Sequence, residues 1–571
     1  MQLSPAKQSF VESDGHALAL GGPGCGKTFA SLHKAHHEIT AQRLSRGQRV
    51  LFLSFARATL ARVLEQARTS VPASSRSQIE ISTYHSFAWT LIRSHGYLLT
   101  ARRLSLLPPP AAASRLADVA AESRVEAVRR LRDEEALLHF DLFAATASEL
   151  LTRSRSLTRI ISDAYPIIIL DEFQDTNADE WGLIQVLGQH SRLIALADPE
   201  QRIYEFRGAD PARISEFINA YAPTRCDFAD ENHRSSGTDI ITFGNDLLSG
   251  ANRSKTYAHV SVAQYGYYHG RSPHFPAKGA LLQAMRRCID ADADRWSIAV
   301  LVPSKRFMLA VSDYLSADAD GLPSVKHDVA LDTEGPAIAA VLIAALLDPD
   351  LDVGRTTSML IRHVCDHVRG RRGTTPPTKS DLDLTGALLG YLETGKVRGS
   401  KRMALVTDCQ RIAAARHAMT MTGDPEADWL AVRQLIAQSP VDQVRQVAED
   451  AKYLRLLHKG ALLRSRLGDL WRRHQGYPGA STVVHDALLQ EHFSSSTRSW
   501  SGVNVMTIHK SKGKEFDEVV IYEGAYQGRI VRADSSAREV AQARLSLRVA
   551  VTRAMKRATI LTPQSAPCQL L

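Results

Sequence analysis

Cysteine is scarce, six in 571 residues, and none falls in a Cys-x-x-Cys pair. A zinc ribbon and a disulfide framework are therefore excluded, and a reducing compartment, the cytoplasm, is expected. Long apolar runs are absent as well. The longest, Ala337–Leu347, is 11 residues, too short to cross a bilayer. The opening Met1-Gln2-Leu3-Ser4-Pro5 lacks the apolar segment of a signal peptide. Membrane and secreted classes fall together. No internal repeat is evident, and neither sign of charge dominates: 70 Lys and Arg face 61 Asp and Glu, for a net +9. A mild basic excess suits a polyanionic partner without demanding one. With 44% hydrophobic and 23% charged residues, the chain is not disordered as a whole, and its length accommodates several domains.

What is present is organised. Short continuous apolar runs, Ala17–Leu20, Val50–Ser54, Ile167–Leu170 and Leu193–Ala197, form an early cluster. A late cluster comprises Ile298–Val302, Val503–Ile508, Val519–Tyr522 and Ala558–Thr562. Such runs, separated by helical patterns, read as strands of parallel sheets covered on both faces, so two α/β units are expected. Residues 89–160 and 351–500 are helical in pattern and read as insertions. In the second, His363, Cys365 and His367 lie close together, but three ligands at alternate spacing without a distant partner pair read as a polar stretch, not a metal site. The basic loop Lys396–Arg402 reads as solvated.

Two motifs carry chemistry. Gly21-Gly22-Pro23-Gly24-Cys25-Gly26-Lys27-Thr28 fits G-x-x-x-x-G-K-[ST], follows a strand and precedes a helix. Its glycines let backbone N–H groups curl around phosphates at a helix N-terminus. Lys27 would bridge the β- and γ-phosphates of ATP, and Thr28 would hold Mg²⁺. The second motif, Ile167-Ile168-Ile169-Leu170-Asp171-Glu172, delivers two carboxylates at a strand end. Asp171 would reach Mg²⁺ through water, and Glu172 would orient and deprotonate the attacking water. Together they predict an NTPase.

The words around these motifs resemble superfamily 1A DNA helicases, the UvrD/Rep/PcrA family. Asp171-Glu172-Phe173-Gln174-Asp175-Thr176-Asn177 is similar to the family's second motif. In order along the chain, Leu3–Gln8, Leu53–Phe55, Ser82–Phe87, Ala197–Ala209, Glu231–Ser235, Val505–Phe516 and Val551–Ala554 resemble the others. The likeness covers the frame of the chain and not the two insertions. It implies two RecA-like P-loop NTPase domains, each with a mainly helical inserted subdomain. The first domain would comprise residues 1–88 and 161–222 around insertion 89–160; the second, 223–350 and 501–571 around insertion 351–500.

The resemblance also implies roles. Gln8 would read adenine, with Phe29 and His233 on the base. Gly22, Pro23, Gly24, Cys25, Gly26, Lys27 and Thr28 would hold the phosphates, and Glu515 the ribose. Gln201 would sense the γ-phosphate, and Arg234 and Arg553 would reach it from the second domain. Phe55, Tyr84 and Phe206 would stack on DNA bases, and His85, Arg207, Thr507 and His509 would make polar DNA contacts, as single-strand tracking requires. The implied activity is 3′→5′ translocation on single-stranded DNA and at single-strand/duplex junctions, with unwinding, driven by ATP and Mg²⁺. Compact UvrD-like proteins are also similar to the helicase partner of Gabija antiphage systems, so a regulatory, DNA-sensing ATPase beside a separate nuclease is the alternative; DNA repair and antiviral defence both stand open. Five positions depart from the family. Phe29 stands for arginine, His233 for tyrosine, Ala56-Arg57 for Thr-Asn and Arg548 for tyrosine. The first two flank the base, so base selectivity does not follow from the resemblance.

Overall fold

A computed structural model describes residues 3–54, 57–201, 210–228, 232–291, 295–330, 334–349, 352–371, 377–452, 461–493 and 500–571. The chain forms two compact units. Met1–Thr90, Ala144–Leu331 and Ser495–Leu571 make the first, and Leu91–Phe143 with Asp332–Ser494 the second.

Strands β1 (Ala17–Leu20), β2 (Val50–Ser54) and β3 (Ile79–Thr83) open the first unit. The two-residue strands β4 (Ser105–Leu106) and β5 (Leu137–Leu138) pair in the second. The first unit resumes with β6 (Ile167–Leu170), β7 (Arg192–Ala197), β8 (Thr224–Asp227), β9 (Val260–Tyr265), β10 (Ser297–Val302) and β11 (His327–Val329). It closes with β12 (Gly502–Thr507), β13 (Phe516–Tyr522) and β14 (Ala554–Pro563). Two six-stranded sheets result, in the orders β3-β2-β6-β7-β1-β8 and β11-β12-β10-β13-β14-β9. Every pairing within them is parallel. The expected α/β architecture with parallel sheets is what forms.

The central strands are apolar along their whole length because helices cover both faces. All four residues of β6 are buried, in register with Val50–Leu53 of β2. Side chains of β1, β2, β6 and β7 join those of helix α1 (Pro5–Glu12) and helix α2 (Lys27–Thr40) in one core. The second sheet has a core on each face. Ser4 caps α1 by accepting from the Lys7 N–H, and Pro5 stands at its first position, where no N–H is needed.

The second unit is built around the helix Glu334–Leu347, apolar on all sides and buried accordingly. Arg416 donates to the terminal carbonyls of Leu346 and Leu347, at 2.6 and 3.0 Å. Both chain segments of this unit contribute to it: Ser114 Oγ donates to Asp366 Oδ1 at 2.5 Å, and Arg369 pairs with Asp118. The polar trio of the sequence lies on its helix Val353–Gly370, where His367 contacts Asp450 Oδ2 through Nε2 at 2.8 Å. Among the described residues, no helix is long and apolar enough to cross a membrane.

Candidate functional site: a phosphate loop between two parallel sheets

The loop Gly21–Thr28 joins β1 to α2, so backbone N–H groups converge at a helix N-terminus. Gly24 and Gly26 have φ of +81° and +87°, the left-handed region that glycine enters without a Cβ penalty. The cradle is also tight. A Cβ on Gly24 would stand 2.8 Å from Cβ of Arg234, and one on Gly26 would stand 3.1 Å from Nζ of Lys7. Lys27 turns its ammonium back onto this loop, donating to the carbonyls of Gly21 (2.6 Å) and Gly22 (3.1 Å) and lying 3.8 Å from Cys25 Sγ. Pro23, Cys25, Thr28 and Phe29 are buried.

Two strands away, β6 delivers Asp171 and Glu172. Asp171 accepts from Ser54 Oγ at 3.2 Å. Burial and the neighbouring Glu172 raise its carboxyl to about 6. Glu172 has φ +53°, an uncommon conformation for a side-chain-bearing residue and one that recurs where geometry serves function. Burial would raise its carboxyl too, but the Lys512 and Lys27 ammoniums and the Gln174 amide, bonded at 2.6 Å, hold it at about 2. Glu172 is thus kept ionised, the state a base requires.

The second sheet supplies the cations. Lys512, buried in the turn after β12, pairs with Asp175, donates to the Gln201 carbonyl at 2.6 Å and lies 3.7 Å from Glu172 Oε2. Arg553, in the turn between the helix Ala537–Val551 and β14, is 1% exposed. Its Nη2 donates to Gln201 Oε1 at 3.3 Å. Arg234 bonds Glu515 at 2.7 Å and the Thr552 carbonyl at 3.1 Å. Arg62, on α3 (Arg57–Ser70) of the first sheet, reaches the same Glu515 oxygen at 2.6 Å. Burial would raise Glu515; the two guanidiniums hold it at about 2. Arg553 is pushed down to about 9 by burial and by the Arg234 and Arg62 charges. An arginine does not give up its proton in a protein. The shift therefore reflects chiefly the cost of burying this guanidinium, with the Arg234 and Arg62 charges adding to it and Glu172 and Glu515 opposing it. Close backbone contact backs this arrangement: Gly513, at φ +75°, sits where a Cβ would meet Thr59 Oγ1 of α3 at 2.4 Å.

The predicted phosphate and catalytic residues Lys27, Thr28, Asp171, Glu172, Gln201, Arg234 and Arg553 therefore surround one cleft, with Glu515 at its side. Sequence reasoning missed Lys512, Arg62 and the bridging role of Arg548, which contacts Glu200 at 2.9 Å, Asn245 at 3.0 Å and Asp198 at 3.7 Å. On α1, two neighbours face opposite ways. Gln8 is exposed and bonds Glu12, whereas its neighbour Lys7 is buried and faces the loop. Ser4 fixes the start of α1, and its inward face is Lys7, Phe10 and Val11, which leaves Gln8 outside. Phe29 packs on His33, ring centroids 4.3 Å apart, while His233 is exposed beside the loop.

Of the expected DNA contacts, Phe55, Phe206 and Arg207 lie outside the described residues. Tyr84 does not present a ring for stacking. It is 2% exposed, and burial pushes its hydroxyl well up. His85 is exposed just after β3, and Thr507 and half-buried His509 stand at the end of β12. All three lie at carboxyl ends of parallel strands, where ligands of such sheets bind.

The family description of the UvrD/REP helicase N-terminal domain matches residues 3–109 and 105–222, and that of the UvrD-like helicase C-terminal domain matches 477–565. The chain belongs to the UvrD-like helicases. The matched stretches contain every predicted catalytic position except Arg234. Among relatives of this UvrD-like chain, the ATP-dependent DNA helicase PcrA of Staphylococcus aureus is 21% identical over 328 residues, 49% of this chain and 44% of PcrA. RecB, from the RecBCD enzyme of Buchnera aphidicola, is 33% identical over 112 residues, 19% of this chain and 9% of RecB. An ATP-dependent helicase/nuclease of Lactococcus lactis has one polypeptide that is 31% identical over 125 residues, 21% of this chain and 10% of that polypeptide. The chain spans less than half the length of these curated relatives.

Proposed function

We propose that this UvrD-like chain is an ATP-dependent DNA helicase and translocase that steps 3′→5′ along single-stranded DNA. One observation carries the reading: Glu172 and Gln201 from the first sheet share a buried cluster with Lys512 and Arg553 from the second, Arg553 Nη2 lying 3.3 Å from Gln201 Oε1. Hydrolysis at such a place depends on how the two sheets approach each other, which is what a motor must couple to movement. Lys27 leaves its loop carbonyls for the β- and γ-phosphates. Glu172 takes a proton from the attacking water. Arg553 and Arg234 meet the charge that develops on the transferred phosphoryl group. Thr28 and Asp171 would hold Mg²⁺, an oxygen-seeking ion that neutralises phosphate charge when bound. Gln201, bonded to Arg553 and lying in the loop after β7, relays the state of the cleft toward the strand ends that carry His85, Thr507 and His509. Polarity and single-strand preference rest on the resemblance of the motifs to the UvrD/Rep/PcrA family.

The test is steady-state ATP hydrolysis with and without single-stranded DNA, with Glu172→Gln as blank, followed by strand displacement on 3′- and 5′-tailed duplexes. Stimulation by single strands with displacement from 3′ tails alone is the expected result. ATP binding without stimulation would turn the reading to a regulatory ATPase whose cleft closes on a partner nuclease.

A further inference from the structure

Strand order sets the direction in which a triphosphate lies on the loop. On one side of β1, strands β7 and β6 deliver Gln201, Asp171 and Glu172, so the terminal phosphate faces that way. On the other side stands the edge strand β8, with α1 packed against β8 and α2. The nucleoside leaves the loop on the α1 side. Two polar side chains meet there. Lys7 Nζ contacts His233 Nε2 at 3.1 Å, and both crowd the position of a Cβ on Gly26, at 3.1 and 3.7 Å. The His233 N–H donates to the Gly24 carbonyl at 2.9 Å, which fixes this residue to the loop. An ammonium has three donors and no acceptor, so Nε2 of His233 accepts from it.

Purine bases differ on the edge such a pair would meet. Adenine presents an acceptor at N7 and a donor at its 6-amino group. Guanine presents two acceptors, N7 and O6, and hypoxanthine has the same pair. A donor-only lysine matches two acceptors and opposes an amino group; a carboxamide, one donor and one acceptor, matches adenine instead.

We infer that Lys7 sets the base preference of this site and that the site uses 6-keto purine triphosphates, GTP and ITP, at least as well as ATP. The inference rests on the NTPase reading and specifies its substrate class. ITP is the cleanest probe, because it differs from ATP only at the 6-position and the adjoining N1.

The experiment is DNA-stimulated hydrolysis of ATP, GTP and ITP by the wild-type protein and by Lys7→Gln, read as kcat/KM. The wild-type ITP/ATP ratio is expected at one or above, and Lys7→Gln is expected to lower it by about tenfold or more, within the discrimination a side-chain pair on a base edge provides. A wild-type preference for ATP beyond about tenfold would overturn the inference. So would a Lys7→Gln protein that loses ATP and ITP activity equally, which would place Lys7 on the phosphates. Lys7 is buried, so His233→Ala, at an exposed position, provides a second route: it leaves the fold intact and shifts the ratio by removing the acceptor that orients the ammonium. An unchanged ratio in that variant and in Lys7→Gln alike overturns the inference. If no nucleotide is hydrolysed, the NTPase reading fails first. Competition of ATP, GTP and ITP against a fluorescent nucleotide then decides base preference by itself, with the same expected order and the same reversal.

Discussion

The two ends of the loop Gly21–Thr28 face different side chains. At the end facing β6 and β7 lie the residues proposed for phosphoryl transfer, Lys27, Asp171, Glu172, Gln201, Arg234 and Arg553, with Arg553 bonded to Gln201 across the two sheets. At the end facing α1, Lys7, Phe29 and His233 line the loop, and the last two are among the positions that depart from the family, as Arg548 does at the other end. The chemistry at the first end is indifferent to the base, because it concerns only phosphate oxygens and water. The second end is the one proposed to select the base. If both proposals hold, substitutions at the α1 end alter nucleotide choice and leave the reaction itself untouched.

Substitutions at the first end should produce the largest effects. Glu172→Gln is expected to lower turnover about a thousandfold or more, within the range for a lost general base, while nucleotide binding stays within about twofold. Hydrolysis rate beside a nucleotide titration checks this, and undiminished turnover would remove Glu172 from its role. Arg553→Ala should lower kcat by about a hundredfold or more and weaken ATP binding far less, since its contact strengthens as charge develops. A pure affinity defect would place Arg553 on the ground state instead. Arg62→Ala probes the boundary between the ends. Arg62 occupies Glu515 at 2.6 Å, and the pair is partly solvated, 30% and 28% exposed. Releasing it should tighten nucleotide binding about two- to fivefold, the scale of a solvent-screened ion pair. Weaker binding would show that Arg62 itself holds the ligand. Gln8→Ala should change KM by less than about twofold, because Gln8 points to solvent and bonds only Glu12 among its described partners. A large effect would return adenine recognition to Gln8 and erase the contrast between the two ends.

Most of the frame was legible because it is buried on both sides. The eight apolar runs read from the sequence are β1, β2, β6, β7, β10, β12, β13 and β14, all interior to their sheets. The strands without a clear run, β3, β8, β9 and β11, are the four edges. There one flank is solvated, as in β9, where no residue is buried, and the sequence turns polar. The phosphate loop and the acidic pair were legible because local backbone shape demands those residue types at that spacing. Lys7 was legible in principle: Lys7, Phe10 and Val11 fall at i, i+3 and i+4, one face of a helix whose start Ser4-Pro5 announces. Position within a family motif outweighed that periodicity. Arg62 was not legible at all. Its partner Glu515 is 453 residues away, and nothing local distinguishes it from the other arginines of an amphipathic helix. Tyr84 shows the opposite failure, an aromatic whose motif suggested exposure and whose ring the first sheet has taken into its core.

The interleaving of the chain bears on how it comes off the ribosome. The first sheet has all six of its strands once Asp227 has been made, and domains fold as units from the N-terminal side during synthesis. The second sheet cannot close then. Three of its four interior strands, β12, β13 and β14, begin only at Gly502, after the whole of Asp332–Ser494 has appeared. Until that point β9, β10 and β11 are three strands without a sheet, since β10 is bonded on both sides by late-arriving neighbours, β12 and β13. The nascent protein thus carries a finished nucleotide loop and unpaired strand edges side by side through the synthesis of more than a quarter of its length. Exposed edges of this kind invite pairing with other chains until the late strands arrive.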